Sequence, residues 1–246
     1  MIVSWISAGV SSFIAAYLVR NELDKAVYID VANQHPDSLR FIRDIERVLG
    51  INIEILRDTK YAGCVDNVIS DTRYINGPNG ARCTAELKKR VRHEWELANL
   101  YGSDITYVWG YDVNEKNRAD RLQKVMFEYK HLFPLIENGI TKSQAHAICQ
   151  QLGVKRPVMY DLGYSNNNCI GCVKGGMGYW NKIRKDFPSV FKRRAERERE
   201  IGHSCIKGVF LDELDPNRGR DDEVVPDCSF TCEGNEGIEA WNKRSN

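Results

Sequence analysis

Apolar positions along this chain fall into short runs and helical stripes that alternate from the first residue onward. Met1-Ile-Val-Ser-Trp-Ile6 is an apolar run of strand length, Ser7-Ala-Gly-Val-Ser-Ser12 a tight polar turn, and the stretch to Leu18 an amphipathic helix. Ala26-Val-Tyr-Ile-Asp30 is a second short strand ending in an acid. Pro36 and Asp37 suit the start of a helix over Ser38 to Leu49, which Gly50 stops. Ile51-Asn-Ile-Glu-Ile-Leu56 then alternates as a strand. Residues 57–82 are the least regular, and Gly77, Pro78 and Gly80 predict a loop. A helix is expected over Ala85 to Leu100, and a strand over Ile105 to Trp109 closed by Gly110. Thr141 is placed to cap a helix reaching Leu152. Gly178 to Phe191 reads as a helix with a restart at Pro188, and Lys192 to Glu200 as a mixed-sign helix with a solvated face.

Strands alternating with helices at this spacing predict an α/β fold with a doubly wound, mostly parallel sheet and right-handed crossovers. A division into residues 1–160, the α/β domain, and 161–246, a Cys-rich extension, follows from where the strand pattern gives out.

Composition narrows this little. The 246 residues are 42% hydrophobic and 28% charged, as in soluble globular proteins. A net charge of +1 gives no electrostatic argument for nucleic acid or a membrane surface. No apolar run is long enough to span a bilayer, and the N-terminus lacks a basic leader, so a cytoplasmic protein is expected. Eight cysteines in that setting point to metal binding or redox chemistry before disulfides.

The turn Ser7-Ala8-Gly9-Val10-Ser11-Ser12 stands between a strand and a helix N-terminus, where unpaired N–H groups and the helix dipole favour an anion. An ordinary βα turn has the same composition, so spacing leaves the two readings even. Asp30 stands at a strand's carboxyl end, where it serves equally to meet a ribose or metal or to cap the next turn. Asp112, Glu115 and Arg118 stand beyond another strand, as ligand contacts or as a capped helix with an i,i+3 ion pair. Cys169-Ile-Gly-Cys172 lets two thiolates reach one ion or cluster, with zinc, iron–sulfur and a redox dithiol all open. Cys64 and Cys149 read as ordinary thiols.

Ser-Ala-Gly-Val-Ser-Ser resembles the pyrophosphate loop, Ser-Gly-Gly-x-Asp-Ser, of the adenine-nucleotide α-hydrolase superfamily, with Ala8 in place of a Gly and Ser11 in place of the acid. That group includes ATP pyrophosphatases and the sulfonucleotide (PAPS and APS) reductases. Tyr28-Ile-Asp30 followed by His35-Pro-Asp, Arg82-Cys-Thr84, Gly110-Tyr-Asp-x-x-Glu-x-x-Arg118-Ala, and Phe133-Pro-Leu with Thr141-Lys142 are similar to reductase segments. The resemblance covers about residues 1 to 180. It implies an adenine nucleotide (PAPS, APS or ATP) at Ser7, Ala8, Gly9, Val10, Ser11 and Ser12, with Asp30, Asp112 and Arg118 nearby, Arg118 toward phosphate.

Cys83 followed by Cys169-x-x-Cys172 is similar to the reductases' Cys-Cys…Cys-x-x-Cys cluster pattern, with Thr84 in place of the adjacent cysteine. The resemblance implies an iron–sulfur cluster, 4Fe-4S in type, on Cys83, Cys169 and Cys172, with zinc as the alternative. A fourth ligand is sought among Cys205, Cys228 and Cys232. The reductases end in Glu-Cys-Gly-hydrophobic-His, whose cysteine attacks the sulfonyl sulfur. Asp227-Cys228 stands in that place, with Ser229 for the Gly and no matching His. Cys228 is therefore equally a nucleophile or, with Cys232, a ligand.

Three functions follow as expectations. The first is reductive cleavage of PAPS or APS, with a thiol donor such as thioredoxin. The second is an ATP pyrophosphatase, with Mg2+, adenylating a substrate for thiolation, the one case in which nucleic acid becomes a partner. The third is a nucleotide- and metal-binding accessory protein that has lost turnover. A homo-oligomer is expected, and no membrane partner.

Overall fold

The computed structural model describes residues 1–77, 80–99, 104–220 and 225. Five strands form one sheet: β1 (Ile2–Ile6), β2 (Lys25–Ile29), β3 (Ile53–Leu56), β4 (Thr106–Val108) and β5 (Lys130–Leu132). The order is β3-β2-β1-β4-β5 and every pairing is parallel. This is the predicted doubly wound α/β sheet. Val3, Trp5 and Ile6 of β1 and Ala26 to Ile29 of β2 are buried on both faces, as strands in the middle of a parallel sheet are. The edges carry Glu54 and half-exposed Ile55 on β3, and exposed Lys130 on β5.

The helices in chain order are α1 (Val10–Leu18), α2 (Asp37–Leu49), α3 (Val65–Thr72), α4 (Arg82–Thr84), α5 (Arg90–Asn99), α6 (Lys116–Val125), α7 (Pro134–Glu137), α8 (Lys142–Gln151), α9 (Val158–Asp161), α10 (Met177–Asp186) and α11 (Pro188–Ile201). Gly50 ends α2 in the left-handed region, at φ 68°. Thr141 caps α8 with Gln144 in a reciprocal capping box. The helix expected over Ala85 to Leu100 is instead α4, a π-helical stretch over Ala85–Lys89, and α5. Strand β5 and helix α3 had no clear signal: the first is three residues long, and the second lies within the Gly-rich irregular stretch.

Two compact units partition the chain. One holds Met1–Asp30, His35–Leu56 and Arg92–Asn167, and the other Val31–Gln34, Arg57–Val91 and Asn168–Asn246. The division at 160/161 followed the chain, whereas compactness brings residues 31–34 and 57–91 together with the Cys-rich region. In the first unit Phe13, Ile14, Phe41, Ile42, Ile45 and Leu135 form a core around α1 and the sheet. In the second, Val65, Val68, Ile69, Ile75, Leu87 and Val173 form another.

Candidate functional site

In the first unit the strand order reverses between β1 and β4, whose neighbours in the chain lie on opposite sides. Ligands of such sheets sit beyond the carboxyl ends at that reversal. The segments that leave β1 and β4 there are Ser7–Ser12 and Trp109–Arg118. They touch closely: a Cβ on Gly110 would stand 2.5 Å from both Cα and N of Ser12. Only glycine permits that approach.

The loop is closed by its own serines. The Ser7 N–H and Ser7 hydroxyl donate to Ser12 Oγ at 3.0 and 3.1 Å, and Ser12 Oγ donates to the Gly9 carbonyl at 2.9 Å. Both acceptor positions and the donor of the Ser12 hydroxyl are thus used inside the loop. Its work is to shape the turn, so any anion at this loop would fall to backbone N–H groups. Gly9 is the N-cap of α1 and supplies no side-chain cap. Ala8, in place of the resembled loop's glycine, takes φ 57°, so the substitution keeps a left-handed turn at a steric cost.

Two residues without a sequence-based role sit against this loop. Tyr160 Oη accepts from the Val10 N–H at 3.4 Å, and its ring meets His146 edge-on at 4.6 Å. Asn167 Nδ2 donates to the Ala8 carbonyl at 2.8 Å and to Ser38 Oγ at 3.0 Å, while its buried Oδ1 has no partner. No motif marks Tyr160. Asn167 is hidden in a run of three asparagines.

Asp112 caps the turn before α6: it accepts from the Asn114 N–H at 2.7 Å, and Glu115 completes a capping box. Arg118 pairs with Glu115 and lies 4.8 Å over the Tyr111 ring. The chain places all three at the carboxyl end of β4, engaged with one another. Asp30 follows β2, its carboxylate 3.5 Å from the Tyr28 hydroxyl.

In the second unit Cys83, Cys169 and Cys205 pack against the apolar cluster that contains Val173, the neighbour of buried Cys172. Cys83 lies in α4, directly before the π-helical stretch, a geometry frequent at functional sites. The Cys-x-x-Cys turn is stapled by Tyr179, whose hydroxyl accepts from the Cys172 N–H at 2.8 Å and donates to the Cys169 carbonyl at 3.2 Å. Gly171 takes φ 72°, and Ile170 N–H donates to the Asn33 carbonyl at 2.8 Å. No disulfide joins any of the six described cysteines. Among the described residues no group of three or more His, Cys, Asp or Glu side chains is arranged to hold a metal ion. Cys228 and Cys232 lie outside the described residues.

The solvated-face reading of residues 192–200 fails at two positions. Arg194 is 2% exposed and Glu198 0%. Arg194 Nη2 pairs with Asp66 at 3.1 Å, but its buried Nε and Nη1 have no partner. Glu198 accepts from the backbone N–H groups of Cys205 and, at 2.7 Å, of Leu211. Burial holds its carboxyl above the usual range against those hydrogen bonds and the Arg194 charge. The missed signal is spacing: Arg194, Ala195, Glu198 and Ile201 share one buried helix face.

No protein-family model matches the chain. Over 212 residues it is 24% identical to an uncharacterised protein of Methanocaldococcus jannaschii, a match covering 82% of this chain and 43% of that protein. The chain thus spans less than half the length of this relative. A solved structure similar to it is that of phosphoadenylyl-sulfate (PAPS) reductase from Candida auris in a phosphate complex, with a TM-score of 0.45 and 12% identity. That similarity covers 67% of this chain and 78% of the reductase. No helix among the described residues is long and apolar enough to cross a membrane.

Proposed function

We propose that this chain is an enzyme of sulfur transfer that binds an adenine nucleotide at Ser7–Ser12 and cleaves a sulfonucleotide, PAPS or APS, reductively. The observation that carries the reading is the βα loop at the sheet's reversal point, shaped by the Ser7–Ser12–Gly9 hydrogen bonds and pressed against Gly110. A loop so held turns the N–H groups that follow Val10 in the first turn of α1 toward a phosphate, the Val10 N–H itself being taken by Tyr160. Asn167 and Tyr160 steady it.

Cys228 is the proposed nucleophile. Its thiolate attacks the sulfonate sulfur, and the S–O bond to phosphate breaks with its electron pair leaving on AMP or its 3′-phosphate. A dithiol donor then reduces the resulting S-sulfocysteine, releasing sulfite and becoming a disulfide. Cys83, Cys169 and Cys172 would hold an iron–sulfur cluster: soft thiolates suit it, and Arg194's unpaired donors beside the cysteine region suit its negative charge. Such a cluster supplies redox-active or electrostatic assistance when bound.

The Ser-x-Gly-x-Ser-Ser form of the loop favours a second reading, an ATP pyrophosphatase with Mg2+ that activates a substrate for thiolation. Anaerobically purified protein offered PAPS, APS and ATP separates them. Sulfite from a sulfonucleotide, lost in Cys228→Ser, is the expected result. Pyrophosphate from ATP with no sulfite would overturn the reductase reading in favour of the second. Binding with no turnover of any of the three would leave an accessory protein.

A further inference from the structure

We infer that Asn167 is a positioning residue for anion binding at the Ser7–Ser12 loop: it holds the Ala8 carbonyl so that the Gly9 N–H turns outward as a donor to the anion, together with those of Ser11 and Ser12. This rests on the reading of the loop as the nucleotide's phosphate site and names the side chain that aims it.

Along the loop, the Ser7 N–H goes to Ser12 Oγ at 3.0 Å and the Val10 N–H to Tyr160 Oη at 3.4 Å. The Phe13 N–H donates to the Gly9 carbonyl at 3.3 Å. The N–H groups of Gly9, Ser11 and Ser12 have no partner among the described residues. Helix α1 fixes the direction of the last two. Gly9 is different. It is the N-cap, extended at φ −102° and ψ 154°, and its N–H belongs to the Ala8–Gly9 peptide outside the helix. That peptide is trans, so its carbonyl and its N–H face opposite ways. Whatever holds the Ala8 carbonyl therefore aims the Gly9 N–H.

Asn167 holds it. Its Nδ2 donates to the Ala8 carbonyl at 2.8 Å and to Ser38 Oγ at 3.0 Å, so both amide hydrogens are used. Reversing the amide would set Oδ1 against the Ala8 oxygen, so the orientation is fixed by its acceptor. Oδ1 is then left buried without a partner, in a residue only 5% exposed. A buried acceptor in that state is unfavourable. An apolar side chain of the same size would fill the space without the orphaned oxygen. What it lacks is the donor onto the Ala8 carbonyl.

Ala8 makes that donor decisive. Its φ of 57° is left-handed, which costs an alanine about as much as one hydrogen bond contributes. Without Asn167 the turn gains by relaxing, and relaxing rotates the peptide that carries the Gly9 N–H. The amide is itself anchored. Lys142 Nζ donates to the Ser165 carbonyl at 2.6 Å, and Asp37 accepts from the Val158 N–H at 2.9 Å. The segment carrying Tyr160 and Asn167 is thus tied to α8 and α2, the helices packed beside α1.

The test titrates pyrophosphate into the full-length wild type, Asn167→Leu and Asn167→Asp, reading affinity and the backbone amide resonances of the loop. The expected result is a loss of about tenfold or more in affinity in both variants, since one charge-assisted donor is gone. At saturation the Gly9 amide no longer responds in either variant, while those of Ser11 and Ser12 still do. Wild-type affinity in Asn167→Leu overturns the inference, because a loss confined to Asn167→Asp reports charge repulsion alone. A Gly9 amide that still responds in the variants overturns it too. So does a variant in which all three amides fall silent, because the side chain then supports the loop as a whole and does not aim one peptide.

A second measurement needs no variant and decides the matter if neither variant folds. In the wild type, pyrophosphate should shift Gly9 together with Ser11 and Ser12. A Gly9 amide that stays in place while the other two shift overturns the inference and leaves the loop as the anion site. A wild type that binds neither pyrophosphate nor AMP overturns the reading of the loop itself.

Discussion

The Ser7–Ser12 loop and the cysteine turn are fastened alike, by one hydroxyl that bridges two backbone groups, but from different distances along the chain. In the loop Ser12 bonds Ser7 and Gly9, all within six residues. In the cysteine turn Tyr179 reaches back from α10 to Cys169 and Cys172. Cys83 and Cys205 pack against the same apolar cluster as Cys169, and Asn33 supplies a carbonyl to Ile170. A local device forms with its turn and leaves a motif. A device assembled from remote segments depends on the whole unit folding and leaves only scattered residues.

The strongest way to break the comparison is to push backbone apart in each region separately. Gly110→Ala sets a Cβ 2.5 Å from the Ser12 backbone, and Gly178→Ala sets one 2.0 Å from the Arg220 carbonyl. Neither obstacle is a flexible side-chain tip, so each should cost about 3 kcal/mol or more in urea unfolding. Gly110→Ala should abolish nucleotide binding and spare metal uptake, and Gly178→Ala the reverse. If either variant loses both activities, the regions are not separable.

A smaller effect concerns the loop's surroundings. Burial, with the charges of Arg156 and Lys142, lowers the His146 pKa to about 4. Its unfolded value is about 6.5. Between these values the unfolded chain binds the proton and the folded chain does not. Stability is therefore complete above about pH 6.5 and is lost as pH falls toward 4, by about 2 kcal/mol after allowing for partial exposure. His146→Gln should flatten the pH dependence of unfolding across that window. A variant that keeps the wild-type slope would assign it to other groups.

The two bridging hydroxyls can be compared directly. Tyr179→Phe strands the buried Cys172 N–H and should cost about 1–2 kcal/mol. Ser12→Ala removes three hydrogen bonds at once, but the loop's donors are nearer water, so a similar figure is expected. The readouts should separate: metal affinity falls in Tyr179→Phe, nucleotide affinity in Ser12→Ala. A crossed result would mean that the bridges do not serve the sites they stand in.

Legibility followed locality. Strands β1 to β4, α2 with its Gly50 stop and the Thr141 cap were readable because apolar period and capping chemistry are written within a few residues. The loop was readable for the same reason. Tyr160 and Asn167 were not, since each acts on residues more than a hundred positions away. Arg194 and Glu198 were misread because a charged helix is normally solvated, and only tertiary packing shows which face is buried. The 160/161 division follows strand pattern along the chain, and strand pattern carries no information on which remote segments, such as residues 57–91, share a compact unit with the cysteines.

The finest test is at Ala8, where the chain departs from the glycine of the resembled loop yet holds φ 57°. Ala8→Gly relieves about 1 kcal/mol of left-handed strain. It also removes a wholly buried methyl, worth about 0.8 kcal/mol, and frees the unfolded chain by several tenths more. These terms nearly cancel, so stability should change by less than about 0.5 kcal/mol, whereas an unstrained buried alanine would lose more. Nucleotide affinity should rise slightly if the methyl crowds the anion's approach, and stay level if the Ser12 clasp alone sets the loop. A loss of affinity would show that the alanine was holding the turn open for its ligand, and the loop would then be a variant shaped by its side chain as much as by its serines.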